Sequence, residues 1–194
     1  MQKIMFNSKL GLEQAVLEGR KTMTRRSVSD KILNKYQDYL NWWNTQNGGF
    51  KVPEDEFYLC ESPLKVNDVI AIAQAYKDVP PYKGHPGYSN HRDLSAGWDN
   101  KMFVKAHLMK HHIKITDIKV ERLQDISGDD CMKEGITEFV IGNYTYDRHS
   151  KLPFNKVLFG SPCEAFAALI DKVSGKGTWD SNPWCFCYEF KLID

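Results

Sequence analysis

His111-His112-Ile113-Lys114-Ile115-Thr116-Asp117-Ile118-Lys119-Val120-Glu121-Arg122-Leu123 decides the fold class of this chain. Ile113, Ile115, Ile118, Val120 and Leu123 alternate with polar neighbours well enough to predict one long strand, since side chains of an extended chain point to opposite faces in turn. Working outward, Trp184 to Ile193 is an aromatic-rich closing strand, and Asn67-Asp68 introduces a core strand, Val69 to Tyr76, by its β-branched and apolar content. Lys3 to Phe6 predicts a short first strand, Phe57 to Leu59 a weak extended segment, and Phe139 to Tyr146 a hairpin around Gly142-Asn143. Helices are predicted from Lys9 to Glu18, from Ser29 or Asp30 to Trp43, from a Ser127 cap through Glu134 to Gly135, and from Ser161-Pro162 to Val173. Long alternating strands without regular helical crossovers argue against a doubly wound parallel sheet. They predict an α+β fold: a small, mostly antiparallel β-barrel with helices packed outside.

With 194 residues, 42% of them hydrophobic, the chain can bury a real core, and a single domain over residues 1–194 is expected. Residues 77–103 break every pattern, punctuated by Pro80, Pro81, Gly84, Pro86, Gly87 and Gly97. This long irregular insertion is either a flap over a site or a surface-packed loop. Twenty-six basic against 25 acidic residues leave a net charge of +1, so no global field gathers nucleic acid or anionic membrane, and any polyanion must be recognised locally. Met1 to Phe6 lacks an apolar signal core and no apolar run is long enough to span a bilayer, so a cytoplasmic protein without a membrane partner is expected.

Five scattered cysteines (Cys60, Cys131, Cys163, Cys185 and Cys187) fit reduced thiols better than a disulfide frame. Cys185 and Cys187 share a strand face, but metal pairs normally use a wider gap and a second ligand pair, so buried small residues are the simpler assignment. His107 and His111 have helical ligand spacing, yet the strand pattern that follows would separate their rings. No metal and no cofactor are expected.

The chemistry concentrates near the N-terminus, in Glu18-Gly19-Arg20-Lys21-Thr22-Met23-Thr24-Arg25-Arg26. Four cations and two hydroxyls occupy the seven residues behind Gly19. A glycine there lets the backbone turn through positive φ, bringing Lys21 to the side of Thr24 before the chain becomes extended. Thr22, Thr24 and Arg26 then share one strand face. The same run also reads as a solvated turn paired with acidic neighbours. Gln74, inside an apolar strand, needs a partner or a task. Trp98 is a stacking candidate in the insertion, whereas Trp179, Trp184, Tyr188 and Phe190 fit either a stacking platform or the core.

Gly19-Arg20-Lys21-Thr22-Met23-Thr24-Arg25-Arg26 resembles the signature of the ASCH domain family, Gly-x-Lys-x-x-Glu-x-Arg, with Thr24 where many members carry glutamate. Asn67 to Gln74, Ile118 to Ser127 and Gly177 to Trp184 resemble its phage- and prophage-associated branch. The resemblance implies a PUA-like barrel and a cleft that binds RNA or a modified nucleobase. One sub-branch similar at the signature hydrolyses the acetyl amide of N4-acetylcytidine with a lysine, a threonine and a glutamate. Lys21 and Thr24 match the first two, while Gln74 stands where the glutamate is expected.

Glutamine cannot transfer a proton near neutral pH, and losing a positioned acid or base costs about 10² to 10⁴ in rate. Glu18, Glu61 and Asp78 are near in sequence but not placed by it. The favoured expectation is therefore a module binding RNA, a nucleoside or a nucleotide, with Lys21, Arg25 and Arg26 on phosphate or sugar and Thr24 and Gln74 reading a base. An amidohydrolase using Lys21 and Thr24 is the alternative, and a phage-derived protein with a vestigial cleft the second.

Overall fold

A computed structural model describes residues 1–46, 49–79, 98–146 and 157–193. The strands are β1 (Lys3–Ile4), β2 (Met23–Ser27), β3 (Val69–Ile72), β4 (His112–Arg122), β5 (Thr137–Val140), β6 (Asn143–Thr145) and β7 (Trp184–Leu192). The helices are α1 (Leu12–Leu17), α2 (Asp30–Asn44), α3 (Glu54–Cys60), α4 (Gly128–Lys133), α5 (Pro162–Ser174) and α6 (Thr178–Ser181). Five strands form one sheet in the order β1-β3-β4-β7-β2, and β5 and β6 form a separate hairpin. Only the β1–β3 pair is parallel in the larger sheet. The chain is thus α+β with a mostly antiparallel sheet. Among the described residues no strand ladder joins the outer edges, β1 and β2.

The central ladder pairs β4 with β7 from Ile113↔Leu192 to Arg122↔Trp184, and its register shifts between Ile115 and Asp117. One extra residue there changes the phase of the alternation. Ile113 and Ile115 before it and Ile118 and Val120 after it consequently pack with one core, although their numbers change from odd to even. The bulge explains why the hydrophobic pattern of the strand slips by one at Thr116-Asp117.

Helix ends follow their sequence signals. The side chains of Ser127 and Ser161 accept the amides of Asp130 and Glu164, capping α4 and α5, and Pro162 opens α5. The predicted Lys9-to-Glu18 helix is divided, because Gly11 sits at φ 70° between a 3-10 turn and α1. The Phe57-to-Leu59 segment is not extended but lies in α3. Glu54, Asp55 and Glu56 stabilise the positive end of that helix, while Phe57 packs tilted and Tyr58 edge-on against Tyr36, with ring centroids 5.1 and 5.5 Å apart. The closing-strand aromatics belong to the core: Tyr188 and Phe190 are buried, and Trp184 packs edge-on against Tyr58 at 5.8 Å.

Ile115 is fully buried beside the bulge. Ile115→Ala is expected to lower the unfolding free energy by about 2–5 kcal/mol, read from urea denaturation, because the bulged backbone cannot collapse onto the cavity.

Candidate functional site

The site begins with the end of α1. The amide of Gly19, at φ 70°, donates to the Val16 carbonyl and that of Arg20 to the Ala15 carbonyl, both at 2.9 Å. This is a Schellman ending, which reverses the chain at a glycine. It delivers Lys21 inward before β2 starts. The Thr22 amide then donates to the Lys133 carbonyl at 2.9 Å, fastening the start of β2 to the end of α4.

Lys21 is only 3% exposed. Its Nζ donates to the Glu134 carbonyl at 2.8 Å and to Glu134 Oε2 at 2.5 Å. Gly135, at φ 102°, closes α4 directly after Glu134, and a Cβ on it would lie 3.6 Å from the Lys21 Cβ, so the lysine stem lies close against the turn. Arg25 donates to Glu134 Oε1 and Asp130 Oδ2, each at 3.2 Å, and also to Glu121. Lys119 binds Asp130 at 2.7 Å and Glu121 at 3.0 Å. Two cations of β2 and the turn before it are therefore neutralised by carboxylates from α4 and β4. Burial pushes the Lys21 ammonium pKa down more than the Glu134 carboxylate raises it, and Arg26 and Arg25 add to the lowering. Burial raises the Asp130 pKa, but hydrogen bonds and charge from Lys119, with Arg25 helping, outweigh it and hold it below the ordinary value.

A cavity of about 300 Å³ opens on this network. Lys21, Thr24, Arg26 and Glu134 contribute polar groups to its lining, and Phe6, Phe166 and Leu169 contribute apolar surface. The Lys21 ammonium lies 6.0 Å from the Phe6 ring, and the Arg25 guanidinium 5.9 Å from that of Phe166. Of the residues singled out in the sequence, Lys21, Thr24, Arg25 and Arg26 thus meet at one cavity. Gln74 is elsewhere: it is buried, its Oε1 accepts the Lys110 amide at 3.1 Å, and it is not among the cavity-lining residues. The strand tail after β3 thereby gains the partner that a buried amide requires. Trp98 is half-buried, its carbonyl 3.5 Å from the Lys77 amide, and lines neither this cavity nor its neighbour. Residues 80–97 of the predicted flap lie outside the described residues.

Glu134, Asp130 and Glu121 were not anticipated. A signal existed, since Asp130 and Glu134 are four apart on a predicted helix and so share a face. The carboxylates nearer in sequence serve elsewhere: Glu18 pairs with Arg20 at 2.7 Å and Glu61 with Lys35 at 2.5 Å. Asn182 makes a turn, left-handed at φ 42°, and its Oδ1 accepts the Gln124 amide at 2.8 Å. All five cysteines are free, and among the described residues no three metal-ligating side chains gather. No helix there is long and apolar enough to cross a membrane.

Glu134→Gln strands the Lys21 cation, and an expected loss of about 3–5 kcal/mol in denaturant unfolding follows from leaving a buried charge uncompensated. Asp130 has a folded pKa below its unfolded one, so the unfolded chain binds the proton first. Its contribution is present above about pH 4 and is lost as pH falls through the folded value. Asp130→Asn should therefore flatten the acid limb of the stability–pH profile. In comparison with known proteins, no family model matches the chain, and neither a curated protein nor a solved structure does.

Proposed function

We propose that the cavity beside β2 and α5 is a binding site for a nucleobase, presented as a free nucleoside or nucleotide or at an unstacked position of RNA, on an ASCH-type, PUA-like barrel. The observation that carries this reading is the presence of Lys21, Thr24 and Glu134 in one apolar-walled cavity of about 300 Å³, within the range of small-molecule sites. The likeness of the Gly19-to-Arg26 signature to the ASCH pattern supports it. An amine, a hydroxyl and a carboxylate supply the donors and acceptors that a base edge requires, and the Phe6 and Phe166 side chains supply apolar surface. Lys21 and Arg25 are already neutralised by carboxylates, which favours a base in the cavity over a phosphate backbone running across it.

Glu134 favours a second reading, amide hydrolysis. The carboxylate lacking at Gln74 is supplied to Lys21 by α4 instead, at 2.5 Å. In this reading the Lys21 amine accepts the proton of the Thr24 hydroxyl or of a water, and the oxygen so activated attacks the acyl carbon of an N4-acylated cytosine. The Lys21–Glu134 pair returns that proton to the departing N4, breaking the C–N bond. Where Thr24 attacks, a water then cleaves the acyl–Thr24 ester and restores the hydroxyl; by either route one water is consumed overall, and the acid and the free base are released.

Calorimetric titration of cytidine into the purified protein is expected to show saturable binding that weakens by about tenfold or more in Thr24→Val, and no heat of binding would refute the nucleobase reading. Chromatography of N4-acetylcytidine after incubation tests the hydrolysis separately. Lys21→Met, Thr24→Val and Glu134→Gln should each slow release of acetate by about 10² to 10⁴. Intact substrate with the wild-type protein discards catalysis while leaving binding in place.

A further inference from the structure

The four cations between Arg20 and Arg26 do not share one fate. Arg20 pairs with Glu18, Lys21 with Glu134, and Arg25 with three carboxylates. Arg26 has no carboxylate partner among the described residues. Its Nη2 donates to the Met5 carbonyl at 2.7 Å, which commits little of a guanidinium with five N–H donors. It is half-buried, and burial pushes its pKa down by more than the charge of Glu134 and the Tyr188 hydroxyl raise it. A largely desolvated guanidinium that no carboxylate contacts directly, and whose nearest acidic influence, Glu134, is already bonded to Lys21 and Arg25, can accept a further anion.

Its position gives that charge a purpose. Arg26 lines the first cavity and also a second, of about 380 Å³, bordered by Ile4, Ile70, Phe186 and Tyr188. The two cavities share Met5, Arg26 and Ser27 and therefore adjoin at the guanidinium. Two of the other polar side chains that line the second cavity are engaged: the Tyr188 hydroxyl meets Ser62 at 3.1 Å, and the Lys3 Nζ binds carbonyls of Lys101, Met102 and Val104.

We infer that Arg26 is the anion-recognition point of a two-lobed site, so that the ligand carries one carboxylate or phosphate group which sits on Arg26 where the two cavities meet. This rests on the first cavity being the ligand site and adds a selection rule: one anionic group rather than none or a chain of them. A planar guanidinium takes either oxyanion in bidentate fashion, so the two chemistries must be separated by experiment.

NMR of the arginine side-chain Nε–H groups during titration with acetate, inorganic phosphate, cytidine and cytidine monophosphate provides the test. Acetate or phosphate should perturb the Arg26 signal saturably and leave Arg25 in place, the stronger of the two identifying the anion. Arg26→Gln should weaken that anion by about tenfold or more, with Arg26→Lys intermediate. Should Arg26→Gln not fold, the wild-type Arg26 signal and the Lys variant decide. An Arg26 signal that neither anion moves, or anion binding unchanged in the variants, overturns the inference even if cytidine binds. Anion binding at Arg26 without cytidine binding upholds it and counts against the nucleobase reading instead.

Discussion

The Glu134 carboxylate, shared between the Lys21 ammonium and the Arg25 guanidinium, is the interaction on which the rest of the site depends. Two buried cations come from a single stretch of chain, and neither is tolerable out of water without a carboxylate. Glu134 satisfies both, one oxygen to each, and its backbone carbonyl takes a further N–H from the lysine. The geometry needs two helices to end at glycines, Gly19 at φ 70° to turn Lys21 inward and Gly135 at φ 102° to turn the chain directly after Glu134. Charge, backbone reversal and close packing therefore specify the same contact between the start of β2 and the end of α4.

That contact also sorts the cations by role. Lys21 and Arg25 are held by carboxylates, so their free energy is committed to the fold and to the polarity of the cavity wall. Arg26, two residues after Thr24 in an alternating strand, makes no direct ion pair with these carboxylates and instead donates to the Met5 carbonyl. A basic run that looks uniform in sequence thus divides into three cations paired with carboxylates and one, Arg26, that borders both cavities.

The strands and caps were legible because their signals are local. The alternation of β4, the aromatic-rich run of β7, Ser127 before α4, Ser161-Pro162 before α5 and Gly19 after α1 each act within a few residues. The missed helix α3 carries a short apolar core, Phe57-Tyr58-Leu59, that suits either periodicity, and its acidic first turn and its packing on Tyr36 settled the matter. The carboxylate of the site was hidden for a different reason. Glu134 meets Lys21 across a sequence separation of 113, a pairing no local pattern reports, whereas the family resemblance directed attention to Gln74. That glutamine instead braces the backbone at Lys110.

The sheet order β1-β3-β4-β7-β2 places the two flanks of the cavities at opposite ends of one curled ribbon, with three strands between them. Their spacing is accordingly an accumulated property, the sum of the twist between each neighbouring pair. A change of packing on β4, although remote from any ligand, is geometrically amplified at the seam. The bulge at Thr116-Asp117, by raising local twist midway along that ribbon, contributes to that sum, while the Arg26 bond to the Met5 carbonyl ties the two flanks directly.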